Sequence, residues 1–165
     1  MVIKTERFKL KILSTEDVTE EYLSWFSNSN ETLNYITFAK TNMNININKL
    51  KDYVKEREDK EDVLFFGIFT SSGQHIGNIK YEPINLKGKS ALMGILIGNK
   101  EWRGKGVATE VIKDSAEYLK RNYSIKHIDL VVNRDNTVAI SAYKKLKFKV
   151  TKKTKLSYMM RLSMQ

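Results

Sequence analysis

The chain has 165 residues, a formal charge of +10 from 29 Lys+Arg against 19 Asp+Glu, and no cysteine. That length suits one domain with a sizeable core, and the missing cysteines exclude a disulfide framework, cysteine zinc ligation and thiol catalysis by the protein itself. No stretch approaches the ~18 apolar residues of a membrane span, and MVIKTERFKLKIL carries no signal-peptide pattern, so a cytoplasmic protein is expected.

In chain order, RFKLKIL (7–13) alternates polar and apolar residues, a strand signature. Ser14 and Thr15, followed by Glu16 and Asp17, are helix-start chemistry for a segment bearing Val18, Tyr22, Leu23, Trp25 and Phe26. SNSNET (27–32) breaks it. Residues 46–60 predict a surface helix with Ile47, Leu50, Tyr53 and Val54 as its apolar stripe. The period then changes. DVLFFGIFT (62–70) and HIGNIKYEPI (75–84) read as a hairpin around SSGQ, and SALMGILIG (90–98) adds a third antiparallel strand after NLKGK. A helix to about Arg121 buries Val107, Val111, Ile112, Ala116 and Leu119. IKHIDLVV (125–132) is a buried strand. NRDNTVAISAYKKLK (133–147) is a helix with Asn136 as a candidate cap, and two closing strands follow. The order β-αα-βββ-α-β-α-ββ implies a mixed α/β sheet with helices on both faces.

The most demanding local chemistry lies at NKEWRGKGVATE (99–110), where two glycines and three basic residues sit between an apolar strand and an amphipathic helix. The first N–H groups of a helix lack intrahelical acceptors, and the helix dipole adds positive charge there. Glycine lets a ligand approach the backbone, so a phosphate or pyrophosphate is the expected occupant. The Walker spacing G-x-x-x-x-G-K-[ST] is absent. The dinucleotide spacing G-x-G-x-x-G fails because Thr109 stands at its third glycine, and Asn133 stands where an acidic residue is required. A second basic cluster, KKLKFKVTKKTK (144–155), leaves open a nucleic-acid-binding module, although Phe148 is its one aromatic and stacking partners are needed.

Arg103, Gly106 and Ala108, in the pattern R-x-x-G-x-A, resemble the acetyl-CoA loop of the GNAT N-acetyltransferases. About 30 residues downstream, Asn136, Ala139, Tyr143, Lys145 and Phe148 resemble that family's N-x-x-A-x-x-x-Y-x-K-x-G-F block; Lys147 replaces its glycine, which puts a helix-ending turn in question. YLSWFSNSNETLNYI and HIGNIKYEPIN resemble the branch containing ribosomal-protein N-terminal acetyltransferases (RimJ/RimL type). The resemblance spans nearly the whole chain, a single domain over 1–165.

The resemblance implies that acetyl-CoA donates an acetyl group directly to an amine, with no acyl-enzyme. The amides of Gly104, Lys105, Gly106, Val107, Ala108 and Thr109, with Arg103, would hold the CoA pyrophosphate. The strand around Gly94, Ile95, Leu96 and Ile97 would pair with the pantetheine arm. Asn136 is either a CoA contact or a helix cap. Tyr143 would protonate the leaving thiolate, or is a packed core aromatic. Glu82 is the candidate general base, or an exposed turn charge. His75, at the hairpin end, is assigned a surface role, and His127 a structural one. Trp25, Asn28, Tyr35 and Phe38 are candidates for the acceptor pocket, or ordinary packing. No metal, membrane or nucleic-acid partner is expected, and a homodimer is a family-level expectation. A GNAT domain that binds CoA without catalysis remains an alternative.

Overall fold

The computed structural model describes residues 1–26 and 45–165. Among the described residues eight strands form one sheet: β1 (Val2–Lys4), β2 (Phe8–Ile12), β3 (Leu64–Thr70), β4 (His75–Asn85), β5 (Ser90–Ile97), β6 (His127–Asn133), β7 (Lys149–Lys153) and β8 (Ser157–Ser163). Their order is β1-β2-β3-β4-β5-β6-β8-β7. The described helices of a full turn or more are α1 (Glu20–Ser24), α2 (Ile47–Glu58), α3 (Val107–Tyr123) and α4 (Thr137–Lys145). The meander β3-β4-β5 and the two closing strands match the sequence pattern.

Two differences have local causes. β1, three residues pairing antiparallel with β2, is too short to show a period. The expected helix after Ser14 is two pieces, a 3-10 turn over Thr15–Asp17 and then α1. Val18 between them is extended, and Thr19 starts α1 afresh by accepting the Tyr22 N–H.

The sheet separates two cores. On one face, Val107, Val111, Ile112, Ala116 and Leu119 of α3 pack on Phe66, Ile79, Met93 and Ile128, together with Tyr143 of α4. On the other, Tyr22, Trp25 and Phe26 join Leu50, Tyr53 and Val54 of α2 over Phe65 and Leu96. Neighbouring residues of β3, Phe65 and Phe66, face different cores, and β5 likewise sends Met93 to one and Leu96 to the other, as the period-2 pleat requires. Burial of each such aliphatic side chain stabilises the fold by about 1.5–3 kcal/mol. The second basic cluster ends α4 and supplies the outermost strand β7, whose Lys149, Lys152 and Lys153 are exposed. Lysines on an edge strand discourage edge-to-edge pairing.

Lys147 closes α4 in the left-handed region, with φ 78°. The Phe148 N–H donates to Tyr143 O at 3.0 Å and the Lys147 N–H to Lys144 O at 3.0 Å. This is a Schellman turn, with the Phe148 ring 5.7 Å from that of Tyr143. The turn survives the loss of glycine because burial of Phe148 holds it. A side chain in this region costs about 1–2 kcal/mol, partly offset by the backbone entropy that glycine loses. Lys147→Gly is therefore expected to raise the melting temperature by about 2–4 °C. An unchanged or lower value in thermal unfolding would contradict that strain.

Candidate active site

β5 and β6 run parallel but pair only over Ser90–Leu92 and His127–Asp129. Both then continue, to Ile97 and Asn133. The sheet therefore splits, and among the described residues β5 from Met93 to Ile97 is paired on one side only, with β4. A strand edge carrying unpaired amides and carbonyls is a template for another extended chain. Each strand leads into a helix beyond its carboxyl end, so the N-termini of α3 and α4 flank the split. Ligands of open sheets bind at such a place.

Gly104 and Gly106 both have positive φ, 72° and 75°, and Gly106 is the residue at which α3 begins. No side chain caps that helix. Residues 103–106 are exposed, and a Cβ on Gly104 would meet nothing within 4 Å. The turn is held from below. Arg7 donates through Nη1 to Lys105 O at 3.0 Å and through Nε to Glu110 Oε2 at 2.7 Å. Glu110 Oε1 accepts the Arg7 N–H at 2.7 Å and the Thr5 hydroxyl at 2.6 Å. Burial pushes the Glu110 carboxyl up, but these donors outweigh it and hold it below its usual range. Arg103 donates through Nε to Ile97 O at 2.9 Å, tying the turn to the end of β5. The turn is thus open and rimmed by Lys100, Arg103 and Lys105, features that suit a diphosphate.

Asn136 caps α4, its Oδ1 accepting the Ala139 N–H at 3.2 Å. Tyr143 is 7% exposed, in the core that α3 shares with the sheet.

On the opposite sheet face a pocket enclosing about 440 Å³ of space open to solvent reaches β5. Tyr22, Phe26, Tyr53, Asn78, Lys80 and Gly94 contribute to its wall, and Ile95 and Leu96 join it to the free edge of β5. Burial pushes the Tyr22 hydroxyl far up, so it stays protonated. Lys80 donates to Tyr53 Oη and lies 3.3 Å from Glu82. Arg57 holds the same carboxylate at 2.8 Å while its guanidinium lies over the Tyr53 ring.

Residues 6–149 match the family model for the acetyltransferase (GNAT) domain. The chain belongs to the GNAT family. A curated N-alpha-acetyltransferase of Saccharolobus solfataricus is 37% identical over 82 residues, which is 49% of this chain and 47% of that protein. The match therefore spans about half the length of that relative. Solved structures that share this fold include two acetyltransferases. One is the Salmonella typhimurium acetyltransferase that modifies the N-terminal serine of ribosomal protein L7/L12, with TM-score 0.85 at 12% identity and full coverage of both chains. The other is the Vibrio cholerae spermidine N-acetyltransferase in complex with CoA and spermine, with TM-score 0.78 at 19% identity, covering 94% of this chain and 95% of that one.

Within this GNAT domain the residues named from sequence separate into groups. Arg103 to Thr109 form the exposed turn and first helical residues, and Gly94 to Ile97 lie on the half-free strand. Glu82 is not among the residues lining the pocket. Burial raises its carboxyl, but Arg57 and Lys80 prevail and hold it below its usual range, so as a proton acceptor it is weaker than the sequence suggested. Trp25 does not line the pocket either. Its indole lies on Gly98, where any Cβ would overlap the ring, and its neighbours Tyr22 and Phe26 form the wall instead. Asn28, Tyr35 and Phe38 lie outside the described residues.

His75 is half-buried rather than exposed as the sequence suggested. Ile68 faces Gly77 and Phe69 faces His75, so Ile76 is the extra residue of a bulge in β4, and the imidazole stacks on Phe69 at 4.8 Å and meets Trp25 edge-on at 4.9 Å. Its Nε2 bonds Asn78 Oδ1 at 2.7 Å, and burial depresses its pKa. His127 bonds Ser163 through Nδ1 at the sheet end. Sequence reasoning missed Thr5, Arg7 and Glu110, whose contacts join positions about a hundred residues apart. It also missed Asn78 and Lys80, whose polar alternation along β4 was legible.

Proposed function

We propose that this GNAT domain transfers the acetyl group of acetyl-CoA directly to a primary amine of a small molecule, an amino sugar or a protein N-terminus. The observation carrying the reading is the split between β5 and β6, bordered by an open glycine turn at a helix start. The turn amides of residues 104–109, with Arg103, bind the pyrophosphate. The free edge of β5 at Gly94–Ile97 aligns the pantetheine arm, which resembles a peptide. An amide of that edge polarises the acetyl carbonyl. The amine nitrogen, arriving through the pocket on the other face, attacks the carbonyl carbon. The C–S bond breaks, Tyr143 protonates the thiolate, and the amine's surplus proton leaves to water, which returns a proton to the Tyr143 phenolate.

A phenol hydroxyl within reach of the departing sulfur can serve as the general acid of that step. Among the described residues no helix is long and apolar enough to cross a membrane, and a cytoplasmic location accords with the reading. The test is thiol release from acetyl-CoA, followed for a panel of amines. Amine-dependent release is the expected result. Tight acetyl-CoA binding with no release for any amine would leave a CoA-binding domain without catalysis.

A further inference from the structure

We infer that the pocket selects an α-amine beside an uncharged or acidic group and rejects polycationic amines, with Lys80 as the specificity-determining residue. This rests on the pocket's proposed role as the acceptor site.

The first argument is charge. Among the described residues the pocket wall contains no carboxylate, whereas a polyamine needs anionic partners for its distal ammonium groups. The nearest carboxylate, Glu82, is occupied by Arg57 at 2.8 Å and by Lys80 at 3.3 Å. Two cations therefore face one acid. Glu56 reaches Arg57 at 3.7 Å from an exposed position, with 68% of its side chain accessible, where solvent and salt screen it. Lys80 itself lines the pocket, held by Tyr53 and with its ammonium 5.7 Å from the Phe65 ring centre. A second cationic group on the acceptor meets this fixed charge, and an acidic group is attracted to it.

The second argument is the proton. An amine attacks only when neutral. The described pocket wall also lacks an imidazole, and the buried Tyr22 hydroxyl stays protonated. Among the described residues, then, no side chain of the pocket takes the amine's proton, which favours an acceptor that arrives neutral. At pH 7 roughly one in seven α-amines is neutral, against about one in 2,500 alkyl amines of the lysine type, from pKa values of about 7.8 and 10.4. Both arguments favour the same class.

The test compares kcat/KM at pH 7, by thiol release from acetyl-CoA, for spermidine and for a short acidic peptide with a free α-amine and no lysine. The peptide is expected to exceed spermidine at least tenfold. Lys80→Glu is expected to move that ratio at least tenfold toward spermidine, and Lys80→Gln, which leaves Glu82 its Arg57 partner, in the same direction by less. Wild-type preference for spermidine, or a ratio unmoved in both variants with acetyl-CoA affinity retained, would overturn the inference while leaving the acetyltransferase reading intact. No release with either acceptor would overturn the inference, and no release with any amine the acetyltransferase reading as well.

Discussion

Tyr143→Phe is expected to lower kcat about a hundredfold, the lower end of what a positioned general acid contributes, while the dissociation constant for acetyl-CoA stays within about threefold. The structure makes this a clean substitution. Tyr143 is buried at 7% exposure in the core that α3 shares with the sheet, with its ring 5.7 Å from Phe148. Its carbonyl accepts the Phe148 N–H that closes α4. Phenylalanine keeps the ring, the packing and the backbone turn, and removes the hydroxyl. A stability loss from cavity formation is therefore not expected, and equal melting temperatures would establish that the rate change is chemical. Unchanged kcat would remove Tyr143 from the reaction and return it to the role of a core aromatic.

Gly106→Val is expected to weaken CoA binding at least tenfold in calorimetric titration. A Cβ here is not sterically blocked, since the closest atom it would meet is Arg7 Nη2 at 3.6 Å. The obstacle is the backbone, whose φ of 75° places the first residue of the α3 turn in the left-handed region. A β-branched side chain disfavours that region strongly. The turn would have to reshape, and the amides following it would lose their common direction. Arg7, which is bonded to the Lys105 carbonyl and to Glu110, would resist the change and convert it into strain. Normal affinity would mean that these amides do not grip the cofactor.

The two blocks of the chain that name the family were legible because each concentrates its chemistry locally. Gly104 and Gly106 stand at a helix start, and Asn136, Ala139 and Tyr143 share one helix. Element order was legible for the same reason, since α3 buries all five residues of its apolar stripe. What the pattern did not carry depended on contacts between distant segments. The Thr5–Arg7–Glu110 anchor joins the N-terminal strands to a helix 105 positions from Thr5. His75 meets its aromatic cluster beside a bulge at Ile76 in its own strand, which alternation alone does not reveal. Glu82 has the right place near the end of a central strand, yet Arg57, 25 positions earlier, already occupies its carboxylate together with Lys80. Period-2 reading of β4 puts Asn78, Lys80 and Glu82 on one face, and the pocket shows why that face is polar.

The most direct measurement is a crystal structure with acetyl-CoA bound. It should show the diphosphate on the main-chain amides of residues 104–109, and the pantetheine arm lying along Gly94–Ile97 in the gap between β5 and β6. Density for the cofactor elsewhere, with the turn bare or filled by its own side chains and the gap closed, would contradict the account.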